Sequence, residues 1–389
     1  MPWKESSRMS LRTEFVLLAQ KPDANLSLLA KRFGISRKTA YKWLKRFQAG
    51  DPDALADRSR KPHASPARTA QEREQQILQL RALHPAWGGR KLRARLHALG
   101  HADVPAASTI TAILRRHGCL GGPNAGLPRD WQRFEHAAAN DLWQMDFKGH
   151  FGLTDGTRCH PLTVLDDHSR YVLGLMACPD EQTATVRTAL TTLFGRYGLP
   201  RRMLMDNGPP WGDPTDRCYT PLTVWLLRLG VRVSHGRPYH PQTQGKDERF
   251  HRTLGAELLS RRTFSNLADC QGPFDAWRQV YNHERPHEAL QLAVPASRYR
   301  PSPRPLPAPL PPIEYPAGAV VRKVQQGGRF SYRGRDYRVS QAFHGYPIAL
   351  QPGAKDGQLG VWFCDHRVAV LDLRQGQVEL CPPGWEPEG

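Results

Sequence analysis

The sequence predicts a multidomain chain: all-helical helix-turn-helix modules in front, a central α/β domain on a mixed five-stranded sheet with flanking helices, and a small β-barrel behind. Three observations lead there. Apolar residues recur at helical spacing through the first third of the chain, at strand spacing from Trp143 onward with helices interposed later, and again at strand spacing beyond a proline-rich segment. A length of 389 residues is long for one core and fits roughly two to four domains.

In the front segment, "NLSLLAKRFGISRKTAYKWLKRFQAGD" spells helix, glycine turn, helix. Leu28, Leu29 and Phe33 supply an apolar face, Gly34 permits the turn, and Ser36 is placed to cap the second helix. On that helix Ala40, Trp43, Leu44 and Phe47 form a buried stripe, while Arg37, Lys38, Tyr41, Lys42 and Lys45 fall opposite. A recognition helix is built this way, because a major groove demands donors on the side away from the core. A weaker unit follows, with Leu92, Leu96 and Leu99 on one helix and Ile110, Ile113 and Leu114 on another, the latter capped by Ser108 or Thr109 and ended by Gly118. It is expected to be a second DNA-binding module.

From Trp143 the period becomes two, and "RCHPLTVLDDHSRYVLGLMAC" adds two strands joined at a polar turn. Next come a helix carrying Val186, Leu190, Leu193, Phe194 and Tyr197, a strand in "RRMLMDNG", a short helix from Pro221, a strand in "VRVSHG", and a long helix opening near "GKDERFHRTL". Nine prolines between Pro295 and Pro316 exclude helix or ladder and predict a semi-rigid spacer. "FSYRGRDYRVS", "IALQ", "LGVWFCDHRVAVLDL" and "QVELC" then alternate as short strands, with Arg333, Arg335 and Arg338 in the first hairpin. The expected domains are 1–60, 61–125, 126–300, a linker at 301–316, and 317–389.

A net charge of +19 favours a polyanionic partner. It is concentrated in front, where residues 1–130 hold 24 Lys+Arg against 10 Asp+Glu. Seven scattered cysteines with no C-x-x-C spacing argue against a disulfide framework or a cysteine-rich zinc site. No apolar run approaches bilayer length and the first residues do not resemble a secretion signal, so a cytoplasmic, nucleoid-associated protein with no membrane partner is expected.

Acids inside otherwise apolar strands are costly unless they are paired or hold a metal. Asp146 lies mid-strand and Asp206 ends "MLMD". On the helix of "HPQTQGKDERFHRTL", Asp247 points along the stripe of Phe250, Leu254 and Leu258, whereas Glu248 lies about 100° away with His251, Arg252 and Gly255 on a polar flank. That geometry favours Glu248 as the third acid and leaves Asp247 as an alternative or as a complement to the helix dipole. Two strand acids and one helix acid suit Mg²⁺, a hard cation that prefers oxygen ligands, and no H-E-x-x-H spacing points to zinc. Asp166, Asp167 and Asp180 are also available, each alternatively a turn cap or surface charge.

"WQMDFKG", "LTVLDDHSRYVLG", "RYGLPRRMLMDNGPPW", "PYHPQTQGKDERFHRTL" and "YNHERPHEAL", in that order, resemble the catalytic core of bacterial insertion-sequence transposases in the DDE, retroviral-integrase-like superfamily. The likeness covers about 140–300, and the flanking modules resemble that group too. It implies an RNase H-like core, a small SH3-like β-barrel behind it, and a metal-binding triad at Asp146, Asp206 and Glu248. The chain departs from the retroviral pattern in three places. Between the second and third acids stand 41 residues, with "PPWGDPTDRCYT" as an added loop; Asp247 occupies a position often apolar; and no His-His-Cys-Cys zinc module precedes the core.

The resemblance implies Mg²⁺-dependent cleavage at transposon ends and strand transfer into target DNA, with two ions per active site and Mn²⁺ as a substitute. The helical modules would bind terminal inverted repeats. His240, Lys246, Arg249 and Arg252 would contact DNA near the site, Arg252 alternatively pairing with Glu248 at i+4. His283, Arg285 and His287 are expected to fix the core's last helices. Joining two ends predicts a homodimer or larger assembly on DNA. The competing functions are a catalytically inactive DNA-binding regulator descended from such an enzyme, and an RNase H-type nuclease.

Overall fold

Short apolar stripes between capping residues set the first helices. The computed structural model describes residues 8–50, 54–57, 68–120, 135–206, 208–212, 219–235, 245–353 and 355–382, divided into two units at Met1–Arg68 and Thr69–Gly389.

The first unit holds α1 (Arg8–Ala19), α2 (Leu26–Arg32) and α3 (Arg37–Gln48). Asn25 caps α2 by accepting from the N–H groups of Ser27 and Leu28, Ser36 caps α3 by accepting from Thr39 N, and Gly34 adopts φ +64° at the turn. Phe15, Val16, Ala30, Ala40 and Trp43 form the core, and Arg37, Lys38, Tyr41, Lys42 and Lys45 are exposed. Leu28 departs from expectation at 66% exposed. The stripe of α2 runs through Leu26, Leu29, Ala30 and Phe33 instead, and Leu28 lies off it.

In the second unit, α4 (Gln71–Leu83), α5 (Gly89–Ala98) and α6 (Ala107–Arg116) enclose Ile77, Trp87, Leu92, Leu96, Ile110, Ile113 and Leu114. Leu99 is 50% exposed, beyond the last turn of α5. Ser108 and Thr109 do not cap α6; the cap position is Ala106, two residues before Ser108, and both hydroxyl residues are exposed within the first turn.

The central sheet comprises β1 (Leu142–Phe147), β2 (Phe151–Gly152), β3 (Arg158–Asp166), β4 (Val172–Cys178), β5 (Arg202–Met205) and β6 (Arg232–His235). It runs β2-β3-β1-β5-β6 with β4 also on β3; the β1–β3–β4 meander is antiparallel and β1–β5–β6 are parallel. β2 is a two-residue strand that no periodicity reveals. Helices α7 (Thr183–Tyr197) and α8 (Pro221–Arg228) contribute Val186, Leu190, Phe194, Leu222 and Leu226 to a core shared with Trp143, Met145 and Val164. Helices α9 (Gly245–Glu257) and α10 (Leu267–His283) contribute Phe250, Leu254, Phe274, Trp277 and Tyr281 to a second core shared with Leu165, Val172 and Leu175. Both faces of the sheet are therefore covered, so Gln144 on β1 is only 3% exposed.

The proline-rich segment is a strap on the core, not a free spacer. Ser302 N donates to Tyr197 O (2.8 Å), Leu199 N donates to Arg304 O (2.7 Å), and Arg304 Nη1 donates to Pro200 O (2.7 Å). The C-terminal β-domain has β7 (Val320–Lys323), β8 (Arg329–Tyr332), β9 (Arg335–Arg338), β10 (Pro347–Pro352), β11 (Gln358–Phe363), β12 (His366–Asp372) and β13 (Gln377–Leu380). These form an antiparallel sheet β13-β12-β11-β10-β7 and a β8–β9 hairpin around one apolar core that includes Phe330, Phe343, Ile348 and Phe363. No helix among the described residues is long and apolar enough to cross a membrane.

Gly198 tests the strap. It adopts φ +78° and ψ −179°, and a Cβ there would lie 2.6 Å from Ser302 O and 2.8 Å from Arg304 O. Gly198→Ala is expected to cost about 2–4 kcal/mol, read as a lower urea midpoint at unchanged slope.

Candidate active site

β1 carries Asp146 toward its C-terminal end, on the face that α9 covers. The carboxyl is pushed up to about 6, first by burial and then by the charge of Asp206 at the end of β5. Two acids from adjacent parallel strands thus share one electrostatic environment. Asp206 itself is exposed, and its backbone carbonyl accepts from His235 Nδ1 at 2.9 Å.

Beside Asp146 lies a small polar set that no sequence pattern marks as a unit. Thr163, its register partner on β3, donates from Oγ1 to Asp146 O at 2.9 Å and lies 2.9 Å from His251 Nε2. With that hydroxyl proton committed, Nε2 is assigned as the protonated nitrogen and donates to Thr163. His251 Nδ1 then faces Asp146 Oδ2 at 3.8 Å. Burial, then Lys148, lowers the imidazole to about 4, so it is neutral at neutral pH. The helical wheel puts His251 on the polar flank of α9; in the fold it is buried, with Thr163 of β3 and Asp146 of β1 against its ring.

The two α9 acids part company. Asp247 is 3% exposed, its Oδ1 has no hydrogen-bond partner, and burial followed by the charges of Asp146 and Asp167 raises its carboxyl well above the ordinary value. Glu248 is exposed and meets Arg252 Nη2 at 3.3 Å, the alternative i+4 pairing. Between two largely exposed groups such a pair contributes little. Among the described residues, no three His, Cys, Asp or Glu side chains are grouped closely enough to hold a metal ion. Asp146 and Asp206 nevertheless fit a hard divalent cation: both donors are carboxylate oxygens, and their mutual repulsion is what such an ion relieves.

Asp167 is fully buried and joins four parts of the fold. It accepts from Gln144 Nε2 on β1 (2.7 Å), from His136 N (2.9 Å) and from Lys246 Nζ at the start of α9, with Arg170 at 3.9 Å. Burial lowers the Lys246 ammonium despite Asp167's attraction. Lys246, expected at a DNA surface, is thus held inside by an ion pair, with a side chain one-fifth exposed. Its neighbours in sequence give no sign of this; the paired acids of "LDDHS" are the available signal. Asp166 is a turn cap, accepting from Asn140 N and from Ser169 N and Oγ, and Asp180 caps the entry to α7 by accepting from Gln182 N and Thr185 Oγ1. Arg249, Arg252, Arg333, Arg335 and Arg338 are exposed, and His240 lies outside the described residues. Arg285 pairs with Glu257 at 2.9 Å with both side chains buried, and His287 is buried against Tyr281.

Two integrase core domain families match residues 136–241 and 229–295. A helix-turn-helix domain matches 11–63, a homeodomain-like domain 39–114, and the C-terminal domain of IS481 family transposases 319–379. Over 159 residues the chain is 30% identical to an uncharacterised 31.7 kDa protein of insertion element IS407 from Burkholderia multivorans, covering 41% of this chain and 55% of that one. Over 157 residues it is 29% identical to an IS476 protein of Xanthomonas euvesicatoria, covering 40% and 43%. The chain spans about half the length of these curated relatives. A simian T-cell lymphotropic virus intasome structure, solved with PP2A regulatory subunit B56 gamma, aligns at TM-score 0.37 and 17% identity over 75% of this chain and 99% of that one. The mixed sheet of residues 142–235 and the helices that cover it thus coincide with the part of the chain that matches integrase core domains. In these matched domains and curated relatives the chain is similar to insertion-sequence transposases, with an integrase core behind helix-turn-helix modules and an IS481-type C-terminal domain.

Because the folded state holds the Asp146 proton more tightly than the ordinary value of 3.8, the ionised carboxylate destabilises the fold above about pH 6, and the effect vanishes below about pH 4. Asp146→Asn is expected to stabilise the protein by about 2 kcal/mol at pH 8 and not at pH 4. Mn²⁺ should raise the Tm of the wild type but not of the variant. At the hub, Lys246→Met leaves Asp167 buried without its counter-charge and should cost about 3–5 kcal/mol. Adding Asp167→Asn should return much of that loss, as measured by a double-mutant cycle in urea.

Proposed function

We propose that this protein binds the terminal inverted repeats of an insertion sequence and catalyses DNA cleavage and strand transfer. The observation that carries this is the pairing of Asp146 with Asp206 at one end of the parallel strands of an integrase-type core, with the buried Asp247 of α9 within electrostatic reach of Asp146. In this reading Asp146, Asp206 and Glu248 hold two Mg²⁺ ions, for which Mn²⁺ substitutes, and Glu248 turns from Arg252 toward the strand acids when DNA is bound. Bound there, divalent ions would supply Lewis-acid activation of an attacking oxygen and stabilisation of a leaving one.

The chain's own residues bind and orient. Arg37, Lys38, Tyr41, Lys42 and Lys45 on the exposed face of α3 contact base edges and phosphates of the repeat. Arg249 and Arg252 on α9, His240 before it, and Arg333, Arg335 and Arg338 on the β8–β9 hairpin grip the backbone. Thr163 and the neutral His251 hold the backbone and ring next to Asp146, so the carboxylate needs little reorganisation. The functional division follows 1–60 and 61–125 for repeat binding, 126–300 for chemistry, 301–316 as the strap and 317–389 as an accessory DNA-binding domain. Coordinated cutting of two ends requires a homodimer or larger assembly on DNA, in a nucleoid-associated, cytoplasmic setting.

The test is strand transfer from a labelled terminal-repeat duplex with Mg²⁺ or Mn²⁺. Asp146→Asn, Asp206→Asn and Glu248→Gln should each lower turnover by at least roughly 10²-fold while repeat binding persists. Asp247→Asn should remain active. If Asp247→Asn is dead and Glu248→Gln active, the third ligand is Asp247; if all four remain active, the proposed chemistry is wrong.

A further inference from the structure

The second strand acid stands at a sheet end where backbone pairing runs out. β5 and β6 pair in parallel from Arg202↔Arg232 to Met205↔His235, and Asp206 is the first residue beyond the last pair. On its other side β5 pairs with β1 as far as Gln144↔Leu204. Two residues further along each of those strands stand Asp146 and Asp206, whose charges repel one another. Asp206 is also exposed, so packing does not hold it against that repulsion.

One side chain takes the place of the next ladder bond. His235, the last residue of β6, brings Nδ1 to within 2.9 Å of the Asp206 carbonyl oxygen. A carbonyl only accepts, so Nδ1 is assigned as the protonated nitrogen. Burial lowers the imidazole against the pull of Asp206, which leaves it neutral at neutral pH with a lone pair on Nε2. That nitrogen is buried and has no hydrogen-bond partner among the described residues. An apolar side chain would fill the position without the cost of an unsatisfied acceptor. What the imidazole adds there is its bond to Asp206.

The bond acts on the backbone of Asp206. Fixing the carbonyl fixes ψ of Asp206, and with it the N–Cα–C frame from which Cβ projects, so the direction of the carboxylate is set without occupying its oxygens. We propose that His235 is a positioning residue for the reaction, its Nδ1–H holding the end of β5 so that the Asp206 carboxylate stays beside Asp146, ready to share a divalent cation. This rests on the reading that the two strand acids bind such an ion. His235 is not itself a ligand, because Nδ1 carries a proton and Nε2 is buried. Residues that orient metal-binding carboxylates in this way are worth roughly 10–100-fold in metal affinity or activity.

The experiment measures Mn²⁺ binding to the full-length protein from the loss of the free-ion electron paramagnetic resonance signal, with strand transfer of the terminal-repeat duplex as a second readout. His235→Leu removes the donor, and His235→Asn keeps an N–H near the Nδ1 position. The leucine variant is expected to bind Mn²⁺ about tenfold more weakly and to lower kcat with the KM for duplex unchanged; the asparagine variant should restore most of both. His235→Gln, whose amide reaches the Nε2 position instead, should behave like the leucine variant and replaces it if that protein does not fold. In an Asp206→Asn background, His235→Leu should weaken Mn²⁺ binding no further, whereas general loosening of the sheet would add to the loss. Unchanged Mn²⁺ affinity in His235→Leu overturns the proposal, as does an equal loss in the asparagine variant or an additive loss in the double variant. If Asp206→Asn binds Mn²⁺ as tightly as the wild type, the metal site in the proposed function is wrong and this inference falls with it; a loss in Asp206→Asn without one in His235→Leu overturns this inference alone.

Discussion

The carboxylate of Asp167, at only 1% exposure, ties the site together. Its two oxygens collect donors from β1 through Gln144, from the approach to β1 through His136, and from α9 through Lys246. Gln144 is two residues from Asp146, and Lys246 is two residues from Glu248. One buried acid therefore spaces the strand that bears the first candidate ligand from the helix turn that bears the third. A hydrophobic contact of equal area would hold the same elements together, but it would not fix their register, because dispersion and burial are nearly indifferent to small sliding motions. Directed hydrogen bonds to a fixed charge are not. The cost is desolvation, which the Lys246 ammonium and the two neutral donors offset only while all are present.

Around that hub the core accepts negative charge in excess of what stability favours. Asp146 is pushed up by burial and by Asp206, and Asp247 by burial and by Asp146 and Asp167. A sheet end chosen for stability alone would carry apolar residues here. Like-charged carboxylates brought together in a partly dry setting are a store of electrostatic energy that a divalent cation or a proton can release. His251 is nevertheless held neutral, because burial and the nearby Lys148 outweigh the attraction of Asp146 Oδ2 at 3.8 Å.

Much of the architecture is legible from periodicity, because each layer of the core buries one clean stripe. Trp143 and Met145, the Val186–Tyr197 stripe, and Ala40 with Trp43 are buried as their spacing requires. The failures share a cause: a helical wheel knows only its own helix. Leu28 and Leu99 are apolar residues for which no neighbouring element arrives. His251 sits on a flank that reads as polar until Thr163 of β3, distant in sequence, meets it. Lys246 looks like a surface cation until Asp167 is folded against it. Proline excludes helix and ladder and so suggests a spacer, yet the carbonyls of the strap and the Arg304 side chain remain able to bond the core. At the site, spacing identifies the strand acids as a class, but the separation of Asp247 from Glu248 into a buried and an exposed position is a tertiary property.

The helices α4–α6 show how such tertiary bonds bear on mechanism. Arg95 on α5 meets Glu284, just past the end of α10, at 2.6 Å, Arg90 approaches Glu288 at 3.5 Å, and Val280 of α10 packs against the apolar core of the module. α10 in turn covers β4 and supplies Phe274, Trp277 and Tyr281 to the core that also seats α9. Gly89 lets α6 approach so closely that a Cβ would fall 2.4 Å from Ala107 O. A continuous chain of packed and paired groups thus runs from the exposed first turn of α6 to the helix carrying Asp247 and Glu248. Any DNA held by α6 would have its register transmitted to the carboxylates through rigid elements. In the proposed reading, in which DNA is cut at a fixed distance from the bound repeat, this packed interface is the ruler between the two.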